Sequence, residues 1–311
     1  MKVFVTGASG LLGQAVVKLL LSEGHSVLAL TRADAHAKQL RELGAETLKG
    51  DLTHRARLAD HLRPCEAVVH LAGSRVGDTD AAHCRRLDSD GTQILLESIP
   101  RDGIKRVVFA SSVAVMGDQM GEWVTEALPP EPKTPHGESK MRAERILLDA
   151  HKLWRLPVMV LRFGHIYGGN PRPAGLFGTI IEDLQDGKLA LPRSVLEAEC
   201  GLISLSDAAN ACHAALSNGR PGQVFFIADD KPCTWQEVFD LLAKAHGVPP
   251  VKVARGLLGR RRTGQIPIDA LSLSVRPRNA KAKSDLGLRL SHRSLAEGLG
   301  SVLGAKAGSP S

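Results

Sequence analysis

The sequence holds one tyrosine, three tryptophans and seven phenylalanines in 311 residues, too few ring faces for a platform on which the bases of nucleic acid would stack. Long apolar runs are missing as well. No stretch approaches the roughly 20 consecutive apolar residues of a membrane span, and no secretory leader pattern precedes the first apolar segment, so neither membrane insertion nor export is expected. Cysteine is sparse and odd in number: Cys65, Cys84, Cys200, Cys212 and Cys233 are scattered, with no C-x-x-C pair or histidine spacing that would hold a metal. Reduced, inert thiols and a cytoplasmic setting are the expectation. Negative charge is the scarcer sign, leaving a formal net charge of +7. The surplus is spread out, its one cluster running from Arg255 to Arg262. That pattern fits a solvated loop and the attraction of an anionic cofactor or substrate, and it argues against a nucleic-acid partner.

What the chain does have is glycine, and its first thirteen residues are organised by it. Lys2 to Thr6 has the β-branched and aromatic content of a buried strand, and Leu11, Leu12 and Gln14 to Leu21 continue at helical spacing. Gly7, Gly10 and Gly13 therefore fall in the strand-to-helix turn. Without side chains there, the backbone can take positive φ, let a pyrophosphate approach, and pack helix on strand, while the helix N-terminus offers free N–H groups. A second strand, Ser26 to Thr31, supplies the context that a bare glycine triplet lacks.

Strand and helix then alternate, as a parallel sheet with crossover helices requires. Ala45 to Lys49 reads as a third strand, Ala67 to Leu71 as a fourth, Lys105 to Ser112 as a fifth, Pro157 to Arg162 as a sixth and Val224 to Ala228 as a later one. A single helix is expected from about Thr79 to Ile99, and a loop from Gly121 to Pro135. The helix opening at His136 carries Ala143, Ile146, Leu147, Ala150, Leu153 and Trp154 at helical spacing, an expected core stripe. Thr234 to Glu237 reads as a capping box, and Ala305 to Ser311 as a frayed tail.

The spacing Thr6-Gly7-x-x-Gly10-x-x-Gly13 resembles that of the extended short-chain dehydrogenase/reductase family, which includes NAD(P)-dependent epimerases, dehydratases and reductases. The resemblance covers nearly the whole chain, including Ser112 to Gly117, Lys140, Arg162 to Gly168 and Asn279 to Gly287. It implies an α/β Rossmann fold, a doubly wound parallel sheet with a smaller C-terminal substrate lobe. The dinucleotide domain would be residues 1–168 with return segments near 202–228, the lobe mainly 169–304, and the tail 305–311. It also implies a small-molecule substrate and a homodimer.

Residue by residue, the resemblance assigns cofactor contacts to Thr6, Gly7, Ser9, Gly10, Leu11, Leu12 and Gly13, to Asp51 and Leu52 at the adenine, and to Leu71, Ala72 and Gly73 along the nicotinamide half. Asp51 would equally serve to cap the helix beginning near Arg55. At the end of the second strand, where NAD-binding relatives carry an acid for the ribose diol, Thr31 is followed by Arg32. A guanidinium suits a phosphate, so NADP(H) is expected over NAD(H). Arg172 or Arg193 could meet an anionic group of the substrate, or simply be exposed.

The departures lie at the chemical end. The family's Tyr-x-x-x-Lys is here His136-x-x-x-Lys140, four apart and so on one helix face. Asp88 stands where an Asn is usual, and Met116 where a Tyr is usual. Lys140 would hold the nicotinamide ribose, Ser112 would hydrogen-bond the substrate oxygen, and His136, or a water it holds, would move the proton. A histidine starts near pKa 6.5 and neighbouring positive charge lowers it, so the ring would be neutral at pH 7, able to accept a proton and reluctant to donate one. An oxidoreductase or epimerase-like enzyme is the first expectation. A lyase or cyclase with a structural cofactor, and a cofactor-binding scaffold without turnover, are the alternatives that the missing tyrosine leaves open.

Overall fold

The computed structural model describes residues 1–52, 55–169, 175–187, 189–254 and 266–303. Three sequence expectations lie outside them: residues 170–174 with Arg172, the Arg255 to Arg262 cluster, and the tail 305–311.

Continuous apolar runs make the buried strands. In order, β1 is Lys2–Thr6, α1 Leu11–Ser22, β2 Ser26–Thr31, α2 Asp34–Glu42, β3 Glu46–Lys49, α3 Arg55–Leu62 and β4 Ala67–His70. Next come α4 Ala81–Arg85, α5 Gly91–Ser98, β5 Arg106–Ser112, β6 Trp123–Val124, α6 Pro135–Trp154, β7 Val158–Phe163 and β8 His165–Tyr167. The remaining chain gives α7 Gly175–Gln185, β9 Ala190–Leu191, α8 Arg193–Leu196, β10 Glu199–Cys200, β11 Leu202–Ser204, α9 Leu205–Ser217 and β12 Gln223–Ile227. It closes with β13 Cys233–Thr234, α10 Trp235–His246, β14 Lys252–Val253, α11 Ile268–Leu271, β15 Arg276–Pro277, α12 Ala280–Asp285 and α13 Leu295–Leu303.

Seven strands form one parallel sheet in the order β12-β7-β5-β4-β1-β2-β3. The order reverses at β1 beside β4, the switch point at whose carboxyl ends ligands bind in such sheets. Each face has its own core. Val16, Val17 and Leu20 of α1 pack with Ala208, Ala211 and Ala215 of α9 on one side. On the other, Leu58 and Leu62 of α3 meet Leu95 of α5 and Ala143 and Leu147 of α6. A third apolar cluster lies off the sheet, where Tyr167, Phe177, Trp235 and Phe239 bury one another with Leu295.

The structure corrects the sequence reading in several places. Between α4 and α5 the expected single helix widens into one π turn, Arg86–Asp90, which draws Asp88 and Ser89 into the interior. The expected loop 121–135 contains β6, paired in parallel with β15, and Pro135 starts α6. Leu153 and Trp154 are not core: in the last turn of α6 they are 76% and 41% exposed. Gly13 lies within the first turn of α1 rather than before it. The capping box at Thr234 forms as expected.

Candidate active site

The glycine cradle is built by backbone contact. Gly7 takes φ +66°, and a Cβ there would fall 2.5 Å from the Ala72 nitrogen, so β1 and β4 meet edge to edge only because the side chain is missing. A Cβ on Gly13 would overlap the Gly7 carbonyl. Gly10 is different: it is exposed, its N–H donates to the Gly7 carbonyl at 3.0 Å, and a Cβ would meet only that oxygen, at 3.3 Å. Thus Gly7 and Gly13 are required for packing, whereas Gly10 faces the open side of the turn, beside Ser9 and the first N–H groups of α1. Leu11 is half-buried, and Leu12 packs its side chain on the sheet core, leaving its backbone for the cradle. Thr6 is fully buried and its hydroxyl is already used. It meets His70 Nδ1 at 2.7 Å and accepts from the Ala72 N–H at 3.2 Å. His70 continues to Thr92 Oγ1 at 3.0 Å, and burial, then the Lys140 charge, pushes its pKa down to about 3. This chain of contacts fixes Leu71, Ala72 and Gly73 beside the cradle.

At the end of β2, the Thr31 hydroxyl is buried with no partner among the described residues, and Arg32 is exposed. No carboxylate pairs with Arg32 among the described residues, while Asp34 is occupied by Lys49 at 2.7 Å. Leu52 is buried and reaches toward Gly91, and Asp51 is half-buried. The cradle that a Cβ would fill, together with a free guanidinium and an orphaned hydroxyl, fits an adenine dinucleotide, Arg32 being suited to a phosphate on its ribose.

The two ends join at Gly73. A Cβ there would collide with both Asp88 Oδ1 and Lys140 Nζ. Lys140, four residues along α6 from His136, is buried between Asp88 at 3.0 Å and the Ala110 carbonyl at 3.1 Å. Asp88 is fully buried, and it also accepts from the Ser139 hydroxyl at 2.6 Å, the Ser74 N–H at 3.1 Å and the Ser74 hydroxyl. Burial pushes its carboxyl up, but Lys140, Ser139 and Ser74 outweigh that and hold it at about 2. Ser74 Oγ in turn lies 2.8 Å from His136 Nδ1, and His136 Nε2 is buried without a partner among the described residues. Burial and then Lys140 lower His136 to about 4, so its ring is neutral at pH 7.

His136 lines a cleft together with Ala114, Thr134, His165, Cys200 and Val275. Ser112 is not among the lining residues, although its neighbours Val113 and Ala114 are. Its hydroxyl accepts from the Ala114 N–H at 3.2 Å, the turn role that such a serine commonly has. Beneath this floor, Arg162 binds Glu144 through two bonds of 2.9 and 2.8 Å, and Glu144 takes the Ser111 hydroxyl. Met116 supplies a sulfur at 3.3 Å to Arg162. Tyr167 is fully buried in the off-sheet core, donating to Asp229 at 2.9 Å. It therefore does not stand in for the phenol that the family resemblance leads one to expect at position 136. Ser74, Ser139 and His165 are the site residues that sequence reasoning did not single out. Arg193 lies on the surface, paired with Glu197 at 3.4 Å. No group of three or more metal-ligating side chains occurs among the described residues, and no described helix is long and apolar enough to cross a membrane.

Comparison with known proteins agrees with the fold. The model of the "NAD dependent epimerase/dehydratase family" matches residues 3–228. A 3-diazoavenalumate denitrifying reductase of Streptomyces sp is 30% identical over 316 residues, spanning 96% of this chain and 99% of the relative. A 4-hydroxy-2-methyl-3-oxo-4-farnesyl-3,4-dihydroquinoline-1-oxide ketoreductase of Stigmatella aurantiaca is 27% identical, with 80% of this chain and 74% of the relative covered. Among solved structures, MoeE5 in complex with UDP-glucuronic acid and NAD superposes with a TM-score of 0.81 at 28% identity, covering 97% and 98% of the two chains. The dTDP-glucose 4,6-dehydratase DesIV from Streptomyces venezuelae, with NAD and TYD bound, shares the fold at a TM-score of 0.83 and 24% identity, covering 97% and 96%.

Proposed function

The chain belongs to the NAD dependent epimerase/dehydratase family, and on that premise we propose that it is an NADP(H)-dependent oxidoreductase acting on an alcohol or ketone of a small molecule. The observation that carries this reading is the meeting at Gly73, where the strand end that closes the glycine cradle also touches Lys140, on the same helix face as His136. The Streptomyces and Stigmatella reductases support the redox side of the reading. A bound nicotinamide dinucleotide supplies a hydride donor or acceptor; the protein's own groups do the rest.

Gly7, Ser9, Gly10, Gly13 and the backbone of Leu11 and Leu12 bind the pyrophosphate, with Thr6 holding that cradle from below. Asp51 and Leu52 flank the adenine, Leu71, Ala72 and Gly73 offer backbone to the nicotinamide half, and Lys140 holds its ribose. Arg32 binds a ribose phosphate, and the preference for NADP(H) rests on it. Ser112 accepts from the Ala114 N–H, and its own proton serves a substrate oxygen. His136 takes the proton. Residues 169–304 make up the substrate-selecting lobe, and the remainder of this proposal is a homodimer in the cytoplasm.

Titrating NADPH and NADH into the protein by cofactor fluorescence, then following nicotinamide absorbance with a panel of alcohols and ketones, tests the reading. Tighter binding of NADPH and turnover of at least one compound are expected. Equal or tighter binding of NADH removes the cofactor assignment, and binding without turnover across the panel removes the redox assignment.

A further inference from the structure

The hydrogen bonds around Asp88 have one consistent direction. An ionised carboxylate only accepts, so every contact to Asp88 is donated to it: from Lys140 Nζ, from Ser139 Oγ, from the Ser74 N–H and from the Ser74 hydroxyl. A hydroxyl has one proton. Having given it to Asp88, Ser74 Oγ can meet His136 Nδ1 at 2.8 Å only as an acceptor. Nδ1 must then carry the proton of the neutral imidazole, which leaves a bare lone pair on Nε2. Nε2 is the nitrogen that is buried without a partner among the described residues, on a ring that lines the cleft.

We propose that Asp88 and Ser74 are positioning residues that lock His136 into the tautomer protonated on Nδ1, so that Nε2 is a hydrogen-bond acceptor and the substrate group it receives is a proton donor, a hydroxyl of an alcohol or enol. The substrate part of this inference rests on the function proposed above; the tautomer does not. On proton transfer the substrate's O–H bond breaks with its electron pair left on oxygen, and the proton bonds to the Nε2 lone pair. The ring's new positive charge is then met, through Ser74, by Asp88. The carboxylate is well placed for this. The π turn at Arg86–Asp90 brings it to the strand ends, and its four donors, from three residues, fix both of its oxygens. A bare ketone would set two acceptors against each other at Nε2, with Ser112 left to serve it alone.

The tautomer can be read without cofactor, substrate or turnover. In the full chain with 15N-labelled histidine, two-bond nitrogen–proton correlation spectra at pH 7 show which ring nitrogen of His136 is protonated, the resonance being assigned by its loss in His136→Gln. The expected result is protonation on Nδ1. Ser74→Ala should raise the Nε2-protonated fraction to at least about half, since the only acceptor of the Nδ1 proton among the described residues is gone. Ser74→Thr, which keeps a hydroxyl, should restore the parent pattern. Asp88→Asn should act like Ser74→Ala, because an amide can donate to Ser74 Oγ and turn its hydroxyl toward Nδ1. The unchanged signals of His70 report that the fold is intact. A parent protein protonated on Nε2 overturns the proposal, as does a parent tautomer that persists in both Ser74→Ala and Asp88→Asn. Absence of redox turnover would refute the proposed function while leaving these spectra unaffected.

Discussion

The two ends of the candidate site are built from different materials. The cradle at Gly7, Gly10 and Gly13 is backbone against backbone, and the groups it offers are N–H donors of a helix start. The far end is a relay of side chains, Lys140, Asp88, Ser74 and His136, drawn from three separate segments and mostly buried. Backbone sites tolerate little change because every alternative residue adds atoms. Side-chain relays can be rebuilt, since one donor or acceptor can be exchanged for another if its partners change with it. That contrast accounts for a chain that keeps the glycine pattern and Lys140 but carries His136 and Asp88 where its relatives' tyrosine and asparagine are expected.

Gly10→Val strikes the first end, and its expected effect is the largest: no measurable dinucleotide binding in a fluorescence titration. The fold should survive, because a Cβ at Gly10 meets only one carbonyl oxygen, at 3.3 Å. Unchanged affinity would show that the cradle binds nothing. Lys140→Met strikes the second end, leaving the Asp88 carboxylate buried without its cation. Breaking a buried pair in this way typically costs about 3–5 kcal/mol, to be read from urea unfolding. The loss should be present at neutral pH. The Asp88 pKa is held at about 2, below its unfolded value of 3.8, so its stabilisation is complete above that unfolded value and disappears as pH falls through about 2. Equal stability at pH 7 would mean that Asp88 is not ionised in the parent.

Arg32→Ala should weaken NADPH by about 1.5–3 kcal/mol, the range for a hydrogen bond to a charged group, and leave NADH alone. Equal effects on both cofactors would place Arg32 outside the phosphate site. The smallest effect concerns the buried neutral histidines. His70 and His136 have folded pKa values of about 3 and about 4, below the usual 6.5. The unfolded chain therefore binds more protons in that interval, and stability should fall as pH drops from 6.5 toward those values. Between pH 7 and pH 6 the loss is on the order of 0.5–1 kcal/mol for each. Urea midpoints that do not move between pH 7 and pH 5 would contradict burial of the neutral rings.

The same contrast explains what could be read from the sequence. The cradle was legible because glycine spacing reports backbone geometry directly, and Lys140 and His136 were legible as a pair because four residues make one helical turn. Ser74 was not, because its partner His136 is 62 residues away and nothing local marks the contact. Asp88 could be seen as a departure, but not as the group that holds Lys140 and Ser74 together. Its inward reach depends on a π turn that helical periodicity does not encode. Leu153 and Trp154 kept the apolar spacing of α6 yet lie exposed in its last turn. The pairing of β6 with β15 joins residues some 150 positions apart in a stretch read as loop.

The central claim is that His136 carries the proton at a site whose cofactor end is intact, and comparing the parent with His136→Phe on an alcohol substrate at saturating NADP+ tests it most directly. Turnover should fall by roughly a hundredfold or more, the usual contribution of general acid/base catalysis, with NADPH affinity unchanged because Lys140 and the glycine cradle are untouched. Turnover that survives the substitution intact would remove His136 from the chemistry and contradict the account.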